Sequence, residues 1–280
     1  MGMQVNTNIS ALNSYRNLSN TQNDLAKSLE KLSSGLRINH AADDAAGLAI
    51  SQGLQSQVSG LAVASRNAQD GISVIQTAEG SLSEVQTILQ RVRDLAVQAG
   101  NDSNNSTSRD AIATEVTALG AELTRIAGNA NFNGQKLLDG STATLTFQVG
   151  AGSDASDQIA ISTTDITAIA TSVTALAATG FASAAAVTGA GGTIDVLDGH
   201  ITAISTARAD LGAQQNRFES VIRNLSVSSE NLTAAKSRIT DTDMASEMVK
   251  YTRSNILSQA GTAMLAQANQ ANQGVLQLLR

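Results

Sequence analysis

The sequence predicts a mainly α protein, a long hairpin-like helical rod with a terminal coiled-coil layer and a helical bundle that carries a small β-hairpin region. Three observations predict it. None of the 280 residues is Pro, the strongest breaker of helices, so long uninterrupted helices are open to the chain. Apolar residues recur at alternating steps of three and four over most of its length, the spacing of a helix face that packs on another helix. The first and last segments carry such stripes almost without charge.

The first stripe runs Ala11, Tyr15, Leu18, Gln22, Leu25, Leu29, Leu32, Leu36. It stops at "SSGLRINHAADD", where Gly35 can supply a left-handed cap and Asp43 or Asp44 can begin a new helix by accepting orphan backbone N–H bonds. The second runs Leu54, Val58, Leu61, Ser65, Ala68, Ile72, Ile75, then after a three-residue skip Ala78, Leu82, Val85, Leu89, Val92, Ala96, Ala99. One long helix is expected, with a change of winding between Gly71 and Gly80. "GNDSNNSTS" is a turn by composition, Thr107 and Asp110 resemble a capping box, and a third stripe follows at Ile112, Val116, Leu119, Leu123 and Ile126.

The period then changes. Asn133-Gly134 is a hairpin signal, and Leu145, Phe147 and Val149 alternate as in a strand, so residues 131–149 are expected to hold a β-hairpin or small meander. Residues 150–192 are Ala, Thr, Ser and Gly with little periodicity and are expected as a short variable insert exposed to solvent. A fourth stripe spans Leu197, Ile201, Ile204, Arg208, Leu211, Gln215, Phe218, Ile222, Leu225, Ser229, Leu232, Lys236 and Ile239, its two cations snorkelling outward. The last comprises Leu257, Gly261, Met264, Ala268, Ala271, Val275 and Leu278. Residues 1–42 and 240–280 are thus expected to form a terminal coiled-coil domain, and 43–149 with 193–239 a helical bundle.

A net charge of −6 argues against nucleic acid as a partner, because phosphate binding needs clustered cations. The absence of Cys excludes disulfides and thiolate metal sites. His40 and His200 stand far apart, so no metal and no cofactor is expected. "GAGG" at 189–192 lacks the strand and helix of a phosphate loop, and no paired catalytic constellation is present, so the protein is not expected to be an enzyme. The start shows no basic region followed by an apolar core, so no cleavable secretory signal is expected. The uncharged tail is interrupted by Asn and Gln from Asn255 to Gln277, and no membrane insertion is expected.

From Met1 to Asn23 the only charged side chain is Arg16, and from Ser254 to Leu279 there is none. Helices facing water carry mixed charges on their outer side, so apolar stripes backed by Ser, Asn and Gln imply surroundings that exclude much of the water. The two ends are expected to pack on each other and on further copies, gaining order as subunits associate. A contact between different patches of identical subunits whose rotation does not close extends into a helical filament.

At "SLEKLSSGLRINHAADDAAGLAIS", "NAQDGISVIQTAEGSLSEVQTILQRVRDLAVQAGN", "NFNGQKLLDG" and from "LGAQQNRFESVIRNL" to "ILSQAGTAMLAQANQANQGVLQLLR", the sequence closely resembles bacterial flagellin. The resemblance implies a subunit whose termini lie together in the inner layer of a filament, around a central channel, with the helical bundle and hairpin in the next layer. Only residues 150–192 stand where flagellins often carry large outer domains. It further implies secretion to an extracellular filament through the flagellar type III apparatus, an export chaperone on the C-terminal segment, cap and hook-junction proteins as partners, and a role in swimming motility. The polymer core would then comprise Leu18, Leu25, Leu29, Leu32, Leu36, Leu257, Met264, Ala268, Ala271, Val275 and Leu278. Flagellins recognised by the vertebrate Toll-like flagellin receptor present an Arg, a Leu and a Glu, which match Arg91, Leu95 and Glu115. An alternative within reach of the same terminal pattern is a hook-to-filament junction component present in few copies.

Overall fold

The computed structural model describes residues 8–189 and 191–278, of which 271–278 are described in their backbone only. It is mainly α. In chain order come α1 (Ile9–Ser34), α2 (Ala45–Ala99), α3 (Ser106–Asn129), β1 (Asn131–Phe132), β2 (Gln135–Lys136), β3 (Thr144–Gln148), β4 (Gln158–Ser162), α4 (Thr167–Thr179), α5 (Ala184–Thr188), α6 (Thr193–Thr240) and α7 (Met244–Leu278). They form two compact units, Met1–Val58 with Glu230–Arg280, and Ser59–Ser229.

The larger unit is built on α2. Its buried seam is Ala64, Ala68, Gly71, Ile75, Ala78, Leu82, Val85, Leu89, Val92, Ala96, Ala99, an unbroken alternation of fours and threes. The expected skip and change of winding are therefore absent. Gly71 occupies the seam position that hydrophobicity assigns to Ile72, because Phe218 of α6 needs the room: a Cβ at Gly71 would stand 2.8 Å from its Cε1. Phe218 is fully buried and meets Phe147 of β3 edge-on, ring centroids 5.8 Å apart. Along α6, Leu197, Ile204, Leu211, Phe218 and Leu225 are buried at every seventh position, and Ile201, Gln215 and Ile222 are half-buried beside them, in accord with the fourth stripe. Arg208 does not simply reach for water. It gives Nε and Nη2 to Glu79 Oε1 at 2.9 and 2.6 Å and Nη1 to Gln86 Oε1, so α2 supplies its counter-charge.

Helix α3 is capped by Asn105, whose side chain accepts from Ser108 N at 2.8 Å, in place of the expected Thr107 box. Its buried positions are Ile112, Val116, Gly120, Leu123 and Ala127. The Asn133-Gly134 hairpin forms between β1 and β2, with φ of 49° and 82° at the two turn residues, the left-handed pair that such a two-residue turn requires. Strand β3 pairs antiparallel with β4, Leu145 opposite Ile161 and Phe147 opposite Ile159. Its partner thus comes from the stretch expected as an exposed insert. That stretch is built into the core: Ile159, Ile161, Ile166, Ile169, Val173, Ala177, Phe181 and Val187 are buried. Short Ala- and Thr-rich elements hide their period because α4 packs through small residues, as where Gly120 of α3 meets Thr174.

Candidate self-assembly surface

The smaller unit holds the paired terminal helices. Asn8 begins α1, its Oδ1 accepting from Ala11 N at 2.9 Å while its Nδ2 donates to Ala268 O of α7 at 2.9 Å. Gly35 ends α1 at φ +72°, the left-handed cap expected of it. Beyond it the chain makes a short antiparallel bridge to the start of the C-terminal segment: Arg37 N donates to Thr240 O at 2.6 Å and Thr242 N to Gly35 O at 3.0 Å. Asp243 caps α7 through Ala245 N and Ser246 N. Asp44 caps α2 through Gly47 N at 2.8 Å, whereas Asp43 ties the preceding loop, accepting from Asn39 N and His40 N.

The α1–α7 seam differs from the expected one in a consistent way. On α1 the half-buried or buried row is Ala11, Ser14, Leu18, Thr21, Leu25, Ser28, Leu32. Leu18, Leu25 and Leu32 lie in it as expected, but Tyr15, Gln22, Leu29 and Leu36 do not. Tyr15, Gln22 and Leu29 line the next edge of the helix and face out, Leu29 with 55% and Tyr15 with 64% of its surface free, while Leu36 follows the Gly35 cap and lies in the bridge to Asp241. On α7 the row is Glu247, Tyr251, Ser254, Ser258, Gly261, Leu265, Ala268. Gly261 and Ala268 belong to it, whereas Leu257 and Met264 point outward with 51% and 62% exposed. Ala271, Val275 and Leu278 lie outside the residues whose side chains are described.

The physical reason is close approach. Gly261 sits so near Leu18 that an added Cβ would stand 3.1 Å from its Cδ1. Small residues on both faces bring the helices together, and the larger apolar side chains are left on the flanks. Met248, Val249, Ile256 and Leu257 make one such apolar flank on α7, and Leu12, Tyr15 and Leu29 another on α1. Among the described residues of these two helices, the only ones fully buried are Ser28 and Glu247, each 6% exposed. They touch, Ser28 Oγ donating to Glu247 Oε1 at 2.7 Å, and Lys250 Nζ donates to Glu247 Oε2 at 3.0 Å. Sequence reasoning passed over both residues because neither is apolar.

Burial pushes the Glu247 carboxyl up, but the Ser28 and Lys250 hydrogen bonds with the Lys250 and Lys31 charges outweigh it and hold it below its ordinary value. Asp241 is held down likewise by Ser237 and Thr240. A carboxylate depressed in the folded state stabilises it above the ordinary carboxyl range, about pH 4.3 for Glu, and loses that contribution as pH falls through the depressed value. Acidification below about pH 4 is thus expected to loosen α1 from α7. Hydrogen exchange at α1 amides across a pH series checks this, and Glu247→Gln should flatten its acid limb.

In the larger unit, Arg91 of α2 and Glu115 of α3 are exposed and paired, Arg91 Nε and Nη2 reaching Glu115 Oε1 at 2.9 and 2.7 Å. Leu95 does not join them at the surface. It is 2% exposed and packs in the core, because the turn of α2 that carries Val92, Ala96 and Ala99 inward carries Leu95 with them. The expected three-residue surface is therefore a two-residue one with Leu95 beneath it.

A mainly α chain whose paired terminal helices leave their larger apolar side chains outward has the build of a structural subunit. Family models specify which. Residues 5–143 match the bacterial flagellin N-terminal helical region, and residues 194–279 match the bacterial flagellin C-terminal helical region. The chain is 51% identical to the flagellin of Halalkalibacterium halodurans over 278 residues, covering 99% of this chain and all of that one. It is 51% identical to the flagellin of Bacillus subtilis and 47% identical to the flagellar filament 33 kDa core protein of Treponema phagedenis, with 99% of this chain and all of each relative covered. A crystal structure of Bacillus cereus flagellin is 32% identical, with 61% of this chain and 94% of that one covered and a TM-score of 0.47. The chain belongs to the bacterial flagellins, a family of structural flagellar filament proteins and not of enzymes. Among the described residues, no helix is long and apolar enough to cross a membrane.

Proposed function

We propose that this chain polymerises through the outward apolar edges of α1 and α7 into the extracellular flagellar filament that drives swimming. The observation that carries the reading is the pair of uncovered rows, Leu12, Tyr15 and Leu29 on one helix, with Leu36 just past its cap, and Met248, Val249, Ile256, Leu257 and Met264 on the other. The two rows are different patches, so copies meet head to tail, and such a contact extends when its rotation does not close. Residues 1–42 and 240–280 form the inner layer, with Leu18, Leu25, Leu32 and Ala268 joining the helices of one subunit and Leu29, Leu36, Leu257 and Met264 joining neighbours. Residues 43–149 and 193–239 form the next layer, with 150–192 in its wall. Neighbouring copies consolidate the thin α1–α7 seam, so the ends gain most of their order on assembly.

Export proceeds without cleavage through the flagellar type III apparatus, with a chaperone on the C-terminal segment, a cap complex at the growing tip and hook-junction proteins at the base. Recognition by the Toll-like flagellin receptor falls to the exposed Arg91 and Glu115, supported from below by Leu95. Expression in a motile bacterium that lacks its own flagellin tests the main reading: long filaments and restored swimming are expected, and surface protein without filaments would overturn it.

Leu29→Asp isolates the role of the α1 row. Because Leu29 is more than half exposed in the single subunit, the change is expected to leave circular dichroism nearly unaltered, surface substitutions lying within about 0.5 kcal/mol. Seeded growth should nevertheless stop at the concentration where the parent elongates. Growth at that concentration would remove Leu29 from the polymer contact.

A further inference from the structure

The outward position of Leu29 runs against hydrophobicity. Adjacent residues of an α-helix lie about 100° apart, so a modest turn of α1 about its own axis would exchange the row Ser14, Thr21, Ser28 for the row Tyr15, Gln22, Leu29 opposite α7. The Leu36–Asp241 bridge joins the two segments beyond the Gly35 end of α1, and Asn8 Nδ2 donates to Ala268 O at the other end; neither contact lies at the Ser28 turn. Close approach at Gly261 does not settle the rotation at the Ser28 turn, since Leu18 lies in both alternatives and turning α1 would bury a larger residue in place of a serine.

We propose that Glu247 selects the face of α1 that α7 receives, its buried carboxylate accepting from Ser28 and so holding the row Tyr15, Gln22, Leu29 outward for a second copy of the chain. Only the last clause rests on the polymer reading above. With α1 turned, Leu29 would take the place of Ser28, and Glu247 Oε1 would face a methyl group where it now receives a hydroxyl hydrogen at 2.7 Å. Leaving a buried carboxylate oxygen unmatched outweighs the burial of one leucine. Thr21, the other hydroxyl on this part of the row, gives its hydrogen to Asn17 O at 2.8 Å, and it is Lys31, one turn beyond Ser28, that adds its charge to the attraction on Glu247. A single buried polar group that fixes helix pairing at some expense of stability is the best-attested use of such groups. Glu247 is thus a positioning residue for assembly, placed on α7 and acting on α1.

The chain has no Cys, so disulfides report the facing rows cleanly. Thr21 and Ser258 are half-buried in the facing rows, and a disulfide needs Cβ atoms about 3.8 Å apart. Thr21→Cys with Ser258→Cys therefore reads the observed face. Gln22→Cys with Ser258→Cys reads the turned one, Gln22 being exposed and Ser258 half-buried. Each pair is equilibrated with a glutathione buffer in the full-length chain, and intrachain disulfide is scored as the monomer band on non-reducing gels. In the parent the first pair should form in preference to the second by about tenfold or more. Glu247→Leu should reduce that preference about tenfold with helix content unchanged, while Glu247→Gln, which keeps an acceptor oxygen for Ser28, should retain it. No preference in the parent, an undiminished preference in Glu247→Leu, or Glu247→Gln behaving as Glu247→Leu would each overturn the proposal. Seeded growth of the same variants separates the two readings. Lost preference with normal growth upholds the selector and removes the α1 row from the polymer contact.

Discussion

Removal of residues 254 to 280 is expected to leave a soluble, mostly helical protein that forms no filament, with or without seeds. The deletion takes away Ser254, Ser258, Gly261, Leu265 and Ala268 from the α7 side of the seam, and with them the partners of α1 from Asn8 to beyond Leu18. It also removes Ile256, Leu257 and Met264 from the outward row. What remains is self-sufficient. Among the described residues, the core cluster that runs from Ala68 to Phe218 is made of the larger unit's own side chains. The bridge at Gly35–Arg37 and the Ser28–Glu247 contact also lie before residue 254. Far-UV circular dichroism should therefore fall only by the share of the lost helix and the frayed start of α1, while the main thermal transition stays within a few degrees of the parent. Electron microscopy of the truncated protein after seeding is the deciding measurement. Long filaments at the parent's frequency would show that the outward row of α7 is not needed for polymer contact.

Most of the seam residues that hydrophobicity misplaces share one physical cause. Hydrophobicity picks Ile72 in α2 where the structure buries Gly71, Leu29 over Ser28 in α1, and Leu257 and Met264 over Ser258 and Leu265 in α7. Three of these four errors took the larger apolar neighbour of a small residue. Hydrophobic periodicity finds a helix face by its greasiest side chains, which is right where helices stand at ordinary distance, as for Leu82, Val85, Leu89 and Val92 or for every seventh residue of α6. It fails where two backbones approach closely, because there the seam is chosen for small volume and the large residues move to the flank. The positions common to both alternatives, Leu18, Leu25 and Leu32, were legible. Local signals that depend on backbone chemistry were legible too, including the left-handed cap at Gly35 and the Asn133-Gly134 turn. The β3–β4 pairing was only half legible: Phe147 alternates visibly, but Ile159 and Ile161 sit in a run of small residues without turn signals strong enough to mark a strand. On the polymer reading proposed above, the flank is the part that meets other copies, so the same bias that misplaces the seam points to the residues left over for association.

Phe218→Ala should be among the most destabilising single substitutions in the larger unit, lowering its unfolding free energy by about 3 to 5 kcal/mol. The ring is fully buried and fills the space that Gly71 leaves open on α2. Its edge-on contact with Phe147 ties α6 to β3, a pairing that adds about 0.5 to 1.5 kcal/mol beyond the area it buries. Neither side of the vacated space can close without cost. Gly71 has no side chain to advance, and Phe147 is held in register by the Leu145–Ile161 and Gln148–Gln158 pairs on either side of it. The cavity term should therefore be near the upper end of its range, and the main thermal transition should fall by about 6 to 20 °C, at 2 to 4 °C per kcal/mol for a domain of this size. Leu232→Ala is the control. It lies on the same helix but is only half-buried and belongs to the smaller unit, so the transition of the larger unit should hardly move. A loss below about 1 kcal/mol for Phe218→Ala in urea titration would mean that the core repacks around the missing ring, against the close packing that interiors maintain. Below its lowered transition the variant should still polymerise, because Phe218 lies in neither outward row. Filament growth that survives a large loss of stability in this unit would separate the element that makes the subunit rigid from the helices that join it to its neighbours.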